Sequence, residues 1–410
     1  MIMLILKAYK FRLEPTEEQL PRLRQLCGCA RFVWNHGLQV TKHILDSGGK
    51  LPSAFELNRM LTGWKKTPEY AFLQEAYTDN LQQKLKDLQG AWRRSFDKTL
   101  AAKAPVWKRK NDGRDSIRFV NFEKYCLLEN RRVRLPSGLG WIKFRQSQEV
   151  NGKIKNATIS QSVGKWYVSF QVEIEASEPH HESTTMVGLD AGISKLATLS
   201  DGTIYEPVNS FKTRQRKLAK RQRQLSRKVK FSANWQKQKR KIQRLHSHIA
   251  NIRRDYLHKT TTKISKNHAM IVIEDLKVSN MSKSAKGTAE QPGRNVRAKS
   301  GLNRAIRDQG WYEMRRQLEY KQRWRGGQVL AVPPAYTSQR CACCGHTAKE
   351  NRLSQSQFEC LECGYTENAD INGARNILAA GHAVLACGGR VQSGRPSKQE
   401  PDAERSAVAH

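Results

Sequence analysis

The alternation of apolar and polar residues changes its period along the chain and so predicts successive blocks of structure. Residues 1–12 alternate and carry a basic face, which predicts a strand. A helix is expected next, because Thr16 and Gln19 have the spacing of a capping box. Helical periods continue over 30–100. The clearest apolar stripe there is Leu81, Leu85, Leu88, Trp92 and Phe96, with Lys84, Lys86, Arg93 and Arg94 off it. This stripe is predicted to form the core of a helical bundle.

From about residue 105 the period falls to two, which predicts short strands. These strands are expected at 116–121, 131–135, 141–145, 154–160 and 165–175. Several short strands favour a small barrel or sheet. Because residues 1–12 also form a strand, the helical block is interpreted as an insertion into this β unit. Residues 176–185 are polar and aperiodic, which is typical of a linker.

A second series of strands and helices follows the linker. Strands are predicted at 186–190, 195–199, 203–206, 269–273 and 328–332. Helices are predicted at 211–260, 303–325 and 372–380, with a mobile loop over 279–302. Residues past Cys387 have the composition of a disordered tail.

Charge indicates a polyanionic partner. The chain's 410 residues are enough for roughly two to four packed units. They include 73 Lys and Arg residues against 37 Asp and Glu residues, which gives a formal net charge of +36. Such an excess is far more than solubility needs, and nucleic acid is a better explanation. A lipid surface ranks lower, because no basic amphipathic anchor is evident. With no signal-peptide core and no apolar run of about 18–20 residues, we expect a cytoplasmic, nucleoid-associated protein.

The basic residues are densest in one helical segment. Its cations are Lys212, Arg214, Arg216, Lys217, Lys220, Arg221, Arg223, Arg227, Lys228 and Lys230. The alternative is an ordinary solvated helix face. Asp255 is the only acid in 211–260, so self-repulsion would be unrelieved and a bound polyanion is favoured.

Four of the nine cysteines form two Cys-x-x-Cys pairs, Cys341 with Cys344 and Cys360 with Cys363. This spacing is typical of a four-cysteine zinc site and argues against a disulfide framework. Four thiolates make a closed tetrahedral site, which is structural rather than catalytic. Cys343 lies inside the first pair and cannot easily share the same ion, and His346 is a weak competitor as a ligand.

Three acids stand at the ends of predicted elements: Asp190 and Glu274 after apolar strands, and Asp370 just before a helix. An acid after a buried strand is costly without a partner, and three that converge could hold divalent cations for phosphodiester hydrolysis. Taken singly, each acid is as readily a cap or turn residue, and spacing alone leaves their convergence open.

The motifs around these acids resemble the transposon-encoded TnpB (OrfB) family, whose relatives are the type V CRISPR effector nucleases. Gly-Leu-Asp-Ala-Gly at 188–192, Ile-Glu-Asp-Leu at 273–276 and Asp-Ile-Asn-Gly-Ala-Arg-Asn-Ile at 370–377 look like its three RuvC motifs. The cysteine pairs lie between the second and third motifs, where that family carries its zinc ribbon. Lys-Ala-Tyr-Lys-Phe-Arg-Leu at 7–13 and Tyr-Thr-Ser-Gln-Arg-Cys at 336–341 are also similar. The resemblance covers about residues 7–380.

The resemblance implies an α/β plus all-β architecture, in which an RNase H-like (RuvC) nuclease domain with an inserted zinc ribbon follows a wedge β-barrel interrupted by a helical bundle. The expected boundaries are 1–12 and 105–178 for the barrel, 13–104 for the bundle, 186–335 and 366–387 for the nuclease, 336–365 for the ribbon and 388–410 for the tail.

The resemblance also implies an activity and its partners. Asp190, Glu274 and Asp370 become catalytic ligands of Mg²⁺ or Mn²⁺, and Cys341, Cys344, Cys360 and Cys363 hold Zn²⁺. A guide RNA from the transposon end and a double-stranded DNA target are expected, and a partner transposase acting on the same element is conceivable. We expect Lys212, Arg214, Arg216, Lys217, Arg221, Arg223, Arg227 and Lys228 to contact nucleic acid.

Two other functions compete with an RNA-guided DNA endonuclease. One is a DNA-binding transposition accessory protein with an idle nuclease. A divalent-dependent cleavage assay distinguishes this protein from an active endonuclease. The other is an RNA-binding protein with a structural zinc and no DNA target. The nucleic acid that copurifies with the protein distinguishes this second alternative.

Overall fold

The computed structural model describes residues 2–110 and 115–387. The chain divides into two compact units, Met1–Ser177 and Glu178–His410. The tail predicted at 388–410 lies outside the described residues. Within the described ranges, no helix combines the length and apolar character that crossing a bilayer requires.

In its described residues, the first unit contains an antiparallel sheet and four helices. Its strands are β1 (Ile2–Glu14), β2 (Ser116–Val120), β3 (Leu127–Glu129), β4 (Arg132–Leu135), β5 (Gly140–Arg145), β6 (Lys153–Ser162) and β7 (Lys165–Ser177). The seven strands pair in the order β2-β6-β7-β1-β5-β4-β3. The helices are α1 (Gln19–Asp46), α2 (Ala54–Lys66), α3 (Thr78–Phe96) and α4 (Phe122–Tyr125), with a 3₁₀ segment at Pro68–Glu75.

The hydrogen bonds of the predicted capping box are present, although the helix begins at Gln19, three residues after Thr16. The backbone N–H of Thr16 donates to Oε1 of Gln19 at 3.1 Å, and the N–H of Gln19 donates to Oγ1 of Thr16 at 3.3 Å. Each side chain thus satisfies a backbone donor that the first turn leaves open. The N–H of Leu20 also donates to the carbonyl oxygen of Thr16 at 3.1 Å, and the continuous helix spans Gln19–Asp46.

The sheet and the helices of this unit share one apolar core. The rings of Phe144 on β5 and Phe170 on β7 lie 5.7 Å apart, although β1 runs between their strands. Strands two positions apart in a flat sheet are separated by roughly 10 Å. The sheet therefore curves around its aromatic side chains, with Phe11 of β1 in contact with both rings.

Two predictions for α3 were wrong. Phe96 is 52% exposed, because it lies in the last turn and stacks only on Trp92. Lys84 is buried, although it was placed off the apolar stripe. Its ammonium group lies 3.6 Å from Asp87 and donates to Ser116 at 3.2 Å, and these partners offset the cost of burying the charge.

The second unit is a mixed sheet with helices on both faces. Its strands are β8 (Met186–Asp190), β9 (Ala197–Leu199), β10 (Ile204–Tyr205), β11 (Met270–Glu274), β12 (Gln328–Val332), β13 (Gln357–Glu359) and β14 (Thr366–Asn368). Its helices are α5 (Gln215–Ser226), α6 (Ala233–Asn267), α7 (Val278–Met281), α8 (Val296–Gln309), α9 (Trp311–Arg325) and α10 (Ala369–Ala386), with a 3₁₀ turn at Lys212–Arg214.

The main sheet of this unit has five strands in the order β10-β9-β8-β11-β12. β8, β11 and β12 are parallel, whereas β9 and β10 are antiparallel additions beside β8. Both faces of β11 are buried: Ile271 and Ile273 join the core formed with α6 and α9, and Val272 joins the core formed with α10. This burial explains why the strand is continuously apolar in sequence.

Helix boundaries in this unit differ from the predictions in several places; α6 continues to Asn267 and α10 to Ala386, beyond the predicted ends at 260 and 380. The helix predicted at 303–325 is two helices, because Gly310 adopts a positive φ of 75° that ends α8. The predicted loop at 279–302 contains part of α7 and the first turns of α8. Asp370 lies in the first turn of α10 rather than before it, since Asn368 caps the helix by accepting the N–H groups of Asp370 and Ile371.

Candidate active site

Two candidate carboxylates lie at one edge of the five-stranded sheet. Asp190 is the last residue of β8, and Glu274 is the last residue of β11. These strands are parallel neighbours, with Leu189 in register with Ile273. The carboxyl ends of parallel strands meet at the same edge, so Asp190 and Glu274 leave the sheet beside each other.

Asp370 reaches this edge because α10 packs very closely on β8. A Cβ at Gly188 of β8 would lie 2.1 Å from the carbonyl oxygen of Ala374 in α10. A Cβ at Gly373 of α10 would lie 3.3 Å from Oδ2 of Asp190. Glycine at both positions lets the two backbones approach, which brings the first turn of α10 and its carboxylate to Asp190.

Burial raises the pKa values of all three carboxyls, and the neighbouring acids add to this effect at Asp190. Burial, and after it the charges of Glu274 and Asp370, raise the pKa of Asp190 to about 7, with a partial offset from Arg352. Burial also raises the pKa of Glu274 and that of Asp370. The cluster therefore needs protons or cations to balance its charge at neutral pH.

Two side chains outside the three acids contact them, and sequence reasoning missed both. Oγ1 of Thr337 donates a 2.7 Å hydrogen bond to Oε1 of Glu274. The guanidinium of Arg352 lies 3.6 Å from Oδ1 of Asp370 and is held by the carbonyl oxygen of Gln355 at 3.0 Å. Thr337 lies in the quoted 336–341 motif, which was a usable signal. Arg352 has no local pattern that distinguishes it from other surface arginines.

The triad, meaning Asp190, Glu274 and Asp370, offers the oxygen ligands that Mg²⁺ prefers. Among residues 2–110 and 115–387, only the cysteine cluster brings three or more metal-binding side chains within 4.8 Å of one another. Three carboxylates offer enough oxygens for two cations, which lie about 3.5–4 Å apart in two-metal sites.

The four paired cysteines converge on one point. Sγ of Cys341 lies 3.8 Å from Sγ of Cys363, and Sγ of Cys344 lies 3.5 Å from Sγ of Cys360. A tetrahedral zinc with Zn–S bonds of about 2.3 Å separates its sulfurs by about 3.8 Å. The four thiols thus already have the spacing that a zinc ion requires.

The two Cys-x-x-Cys turns have the same backbone geometry. Gly345 and Gly364 follow the second cysteine of each pair and adopt positive φ values of 80° and 67°. Their N–H groups donate to the carbonyl oxygens of Cys341 and Cys360 at 3.0 Å and 2.9 Å. The sequence signal for these turns, a glycine after each pair, reflects this left-handed conformation.

The remaining cysteines lie outside this cluster. Cys343 and Cys387 are exposed, and Cys27, Cys29 and Cys126 are buried among apolar side chains of the first unit. His346 takes part through its carbonyl oxygen, which accepts the N–H of Cys341 at 2.8 Å. It is not among the residues whose side chains converge.

Helix α10 is hydrogen-bonded to the cysteine segment. Oδ1 of Asn372 accepts the N–H of Ala342 at 2.9 Å, and Nδ2 of Asn372 donates to the carbonyl oxygen of Arg340 at 2.8 Å. Nδ2 of Asn376 donates to the carbonyl oxygen of Thr337 at 3.0 Å. A change in the cysteine turns would therefore reach the helix that carries Asp370.

The predicted nucleic-acid contacts lie on α5 and its flanks. All eight are at least partly exposed: Lys212, Arg214, Arg216, Lys217, Arg221, Arg223, Arg227 and Lys228. Over the described ranges, none of them has a carboxylate within ion-pair distance, and Asp255 pairs with Lys259 instead. Leu218 of α5 packs on Ile242 and Leu245 of α6, so the cations are carried by a packed helix pair.

A buried carboxylate anchors the start of this basic segment. Asp308 of α8 accepts the N–H groups of Phe211 and Lys212 at 3.0 Å and 3.1 Å, and the hydroxyl of Ser210 at 3.0 Å. Arg253 of α6 lies 3.4 Å from the same carboxylate. Asp308 therefore sets where the chain enters α5, a role that no sequence pattern indicated.

Three family profiles match the chain. Residues 169–285, which include Asp190 and Glu274, match a profile described as "Probable transposase" (OrfB_IS605). Residues 311–377, which include the cysteines and Asp370, match "Cas12f1-like, TNB domain". Residues 1–50 match "Helix-turn-helix domain", although residues 2–46 of this chain fold as one strand and one long helix.

Two curated relatives extend over nearly the whole chain. "Putative RNA-guided DNA endonuclease InsQ" of Escherichia coli K12 is 63% identical over 404 residues, 98% of this chain and 99% of the relative. "Putative RNA-guided DNA endonuclease" of Streptomyces pristinaespiralis is 35% identical over 413 residues, 100% of this chain and 96% of the relative.

A solved structure has a similar fold. A chain in "Cryo-EM structure of the Cas12f1-sgRNA-target DNA complex" aligns with a TM-score of 0.52 and 12% sequence identity. The alignment covers 91% of this chain and 98% of that chain.

Proposed function

The chain belongs to the transposon-encoded OrfB (TnpB) family, and from this membership we propose that it is an RNA-guided DNA endonuclease that hydrolyses phosphodiester bonds. The observation that carries the proposal is the meeting of Asp190, Glu274 and Asp370 at one sheet edge, inside regions matched by the two family profiles. The full-length similarity to relatives named RNA-guided DNA endonucleases supports the same activity.

The strand order supports assigning the catalytic unit to the RNase H-like (RuvC) fold. Three antiparallel strands, β8 to β10, are extended by the parallel strands β11 and β12. The acids then occupy the ends of the first and fourth strands and the start of the closing helix. For the first unit we retain the wedge β-barrel as a proposal, which the curvature around Phe11, Phe144 and Phe170 supports.

The triad would hold Mg²⁺ or Mn²⁺ through its carboxylate oxygens. Such cations, when bound, polarise the scissile phosphate and lower the pKa of the attacking water. Asp190 must lose its proton to serve as a ligand, since its pKa is raised to about 7. Thr337 holds one oxygen of Glu274, which fixes the direction of that carboxylate. Arg352 stabilises the ionised form of Asp370.

The cysteine cluster would hold one zinc ion with a structural role. Its four thiols leave no open coordination position, so it contributes rigidity rather than chemistry. Asn372 and Asn376 transmit that rigidity to α10, where Asp370 lies.

The guide RNA and its heteroduplex with DNA would follow the basic helix pair. Its eight candidate cations are at least partly exposed and lack acidic partners among the described residues, which suits phosphate contact. Base pairing with the RNA would then select the target, while protein holds the backbone. A partner transposase of the same element stays a prediction.

The experiment is RNA-directed cleavage. RNA that copurifies with the full-length protein is sequenced, and a plasmid carrying the matching target is incubated with the complex, with and without Mg²⁺. We expect cutting only with Mg²⁺ and only of the matched plasmid, and a plasmid with a scrambled target is the control. Binding without cutting would favour an idle nuclease, and RNA binding with no DNA binding would favour an RNA-binding protein.

A further inference from the structure

An apolar cavity of about 550 Å³ adjoins the triad and has Glu274 in its wall. The ends of β8 and β11 contribute Leu189 and Ile273 to it, and α9 contributes Met314 and Leu318. Cavities that bind small organic groups usually measure about 300–1,000 Å³ and have mostly apolar walls. This one shares a side chain with the candidate catalytic centre.

The rim of the cavity carries an unusually exposed aromatic ring. Tyr312 lines the cavity and is 73% exposed, whereas its neighbour Trp311 is buried in the core. Lys277, also exposed, lines the same rim. Arg315 is already engaged by Asp275 and Glu319. The cavity thus combines apolar walls, an accessible aromatic face and an exposed cation.

We propose that this cavity binds one nucleobase of the strand being cut, stacked on Tyr312, while the adjoining phosphate lies at the triad. The inference rests on the proposed endonuclease function. It adds that the substrate strand has one base unstacked at the site of cutting. In nucleic acid a base is the flat, largely apolar group nearest to any given phosphate. Glu274 would hold the cations that contact the scissile phosphate, so a cavity that begins at Glu274 is continuous with the place where that base must lie.

The proposal has a consequence for substrate form. A base inside a duplex is paired and stacked, so it enters a side cavity only from a single strand or after it has been unstacked. Stacking on an aromatic side chain tolerates every base, because each has a π face. The cavity would therefore favour single-stranded DNA at the scissile position without selecting a sequence.

The test measures base stacking directly, in the complex of the full-length protein with its copurified RNA. Single-stranded DNA that pairs with that RNA and extends beyond the paired region carries 2-aminopurine at one unpaired position at a time, and Ca²⁺ replaces Mg²⁺ to prevent cutting. We expect the emission to be quenched at one or two adjacent positions. Tyr312→Ala should remove the quenching, and Tyr312→Phe should keep it, because phenylalanine retains the ring.

A second variant tests the cavity rather than the ring. Ser279 lines the cavity and is exposed, so Ser279→Trp should fill it and displace the base. The matched control is Ser284→Trp, at an exposed position that does not line the cavity. Phe55→Ala removes a 79% exposed aromatic ring from α2 and controls for loss of an aromatic side chain in general. Both controls should leave quenching unchanged.

Cleavage in Mg²⁺ provides an independent readout. Removing the base at the quenched position, with an abasic nucleotide, should slow wild-type cutting about tenfold. In Tyr312→Ala the same abasic nucleotide should cause no further loss, because the contact is already absent. Quenching that persists in Tyr312→Ala and Ser279→Trp, or that occurs at no position of a bound oligonucleotide, overturns the base-binding proposal. Absence of Mg²⁺-dependent cutting by wild type instead contradicts the proposed function.

Discussion

Thr337 donates a 2.7 Å hydrogen bond to the carboxylate of Glu274, and its carbonyl oxygen accepts one from Asn376 at 3.0 Å. The segment leading into the cysteine cluster thus contacts both the glutamate at the end of β11 and the helix that carries Asp370. A hydrogen bond to a metal-binding carboxylate orients it, and losing such a bond usually lowers metal affinity or activity about 10- to 100-fold.

Replacing Thr337 by valine should therefore lower the affinity for Mg²⁺, because valine keeps the shape but cannot donate. We expect the Mg²⁺ concentration for half-maximal cutting to rise by roughly tenfold or more. Thr337→Ser, which keeps the hydroxyl, should behave like wild type. Equal Mg²⁺ dependence in the valine and serine variants would count against this role.

Asp190→Ala should abolish cutting and preserve binding of RNA and DNA. The substitution removes an oxygen ligand at the sheet edge but leaves the basic helices unchanged. Cleavage and binding of the same labelled target are measured in parallel, and Asp255→Ala, which alters an exposed acid of α6, serves as the control. Full cutting with intact metal dependence would remove Asp190 from the catalytic set.

Zinc content should depend on the four converging cysteines. We expect about one zinc per chain by elemental analysis, and less in Cys360→Ser. The same variant should have a lower melting temperature and cut more slowly, because Asn372 and Asn376 link the cysteine turns to α10. Cys343→Ser, an exposed cysteine inside the first turn, should keep both zinc and stability. Native protein without zinc would contradict the assignment.

The basic helices should contribute to binding through charge. Replacing Lys217, Arg221, Arg223 and Lys228 by Gln should weaken RNA binding about equally for all guides and flatten its salt dependence, by up to about 0.7–0.9 in slope for each lost phosphate contact. The control exchanges Lys and Arg at the same four positions and keeps the charge. An unchanged slope in the Gln variant would mean that this surface is merely solvated.

Asp190 should also make the stability of the metal-free catalytic unit depend on pH. Its pKa is raised from 3.8 to about 7, so the folded state retains a proton that the unfolded state releases. This stabilisation is fully present below about pH 4 and is lost as the pH rises through about 7. Without added divalent cation, the melting temperature of the wild-type protein should fall across that pH window. The melting temperature of Asp190→Asn should fall less. Added Mg²⁺ should oppose the fall, since it binds the ionised triad. Parallel curves for the two proteins would contradict this.

Much of this protein followed from local patterns in the sequence. The period-two segments folded as β1, β2 and β4 to β7 because alternation suits a half-buried strand, whereas the three-residue β3 was not predicted. The apolar run before Glu274 became the doubly buried β11. The cysteine spacing predicted a cluster because each Cys-x-x-Cys turn is local and ends in a left-handed glycine. In the same way, the motifs identified the sequence positions of the three acids. They did not show that the three side chains meet in the folded protein.

Tertiary structure alone decided how those pieces combine. Asp370 meets Asp190 only because Gly188 and Gly373 permit α10 to lie against β8, a contact between segments far apart in sequence. The burial of Lys84, the anchoring carboxylate of Asp308 and the positions of Thr337 and Arg352 likewise depend on distant partners. A local period specifies which face of an element is buried, but not what lies on the other side of that face. The element that packs against each buried face is determined only when the whole core packs. In this protein, that packing brings the three acids of the triad together.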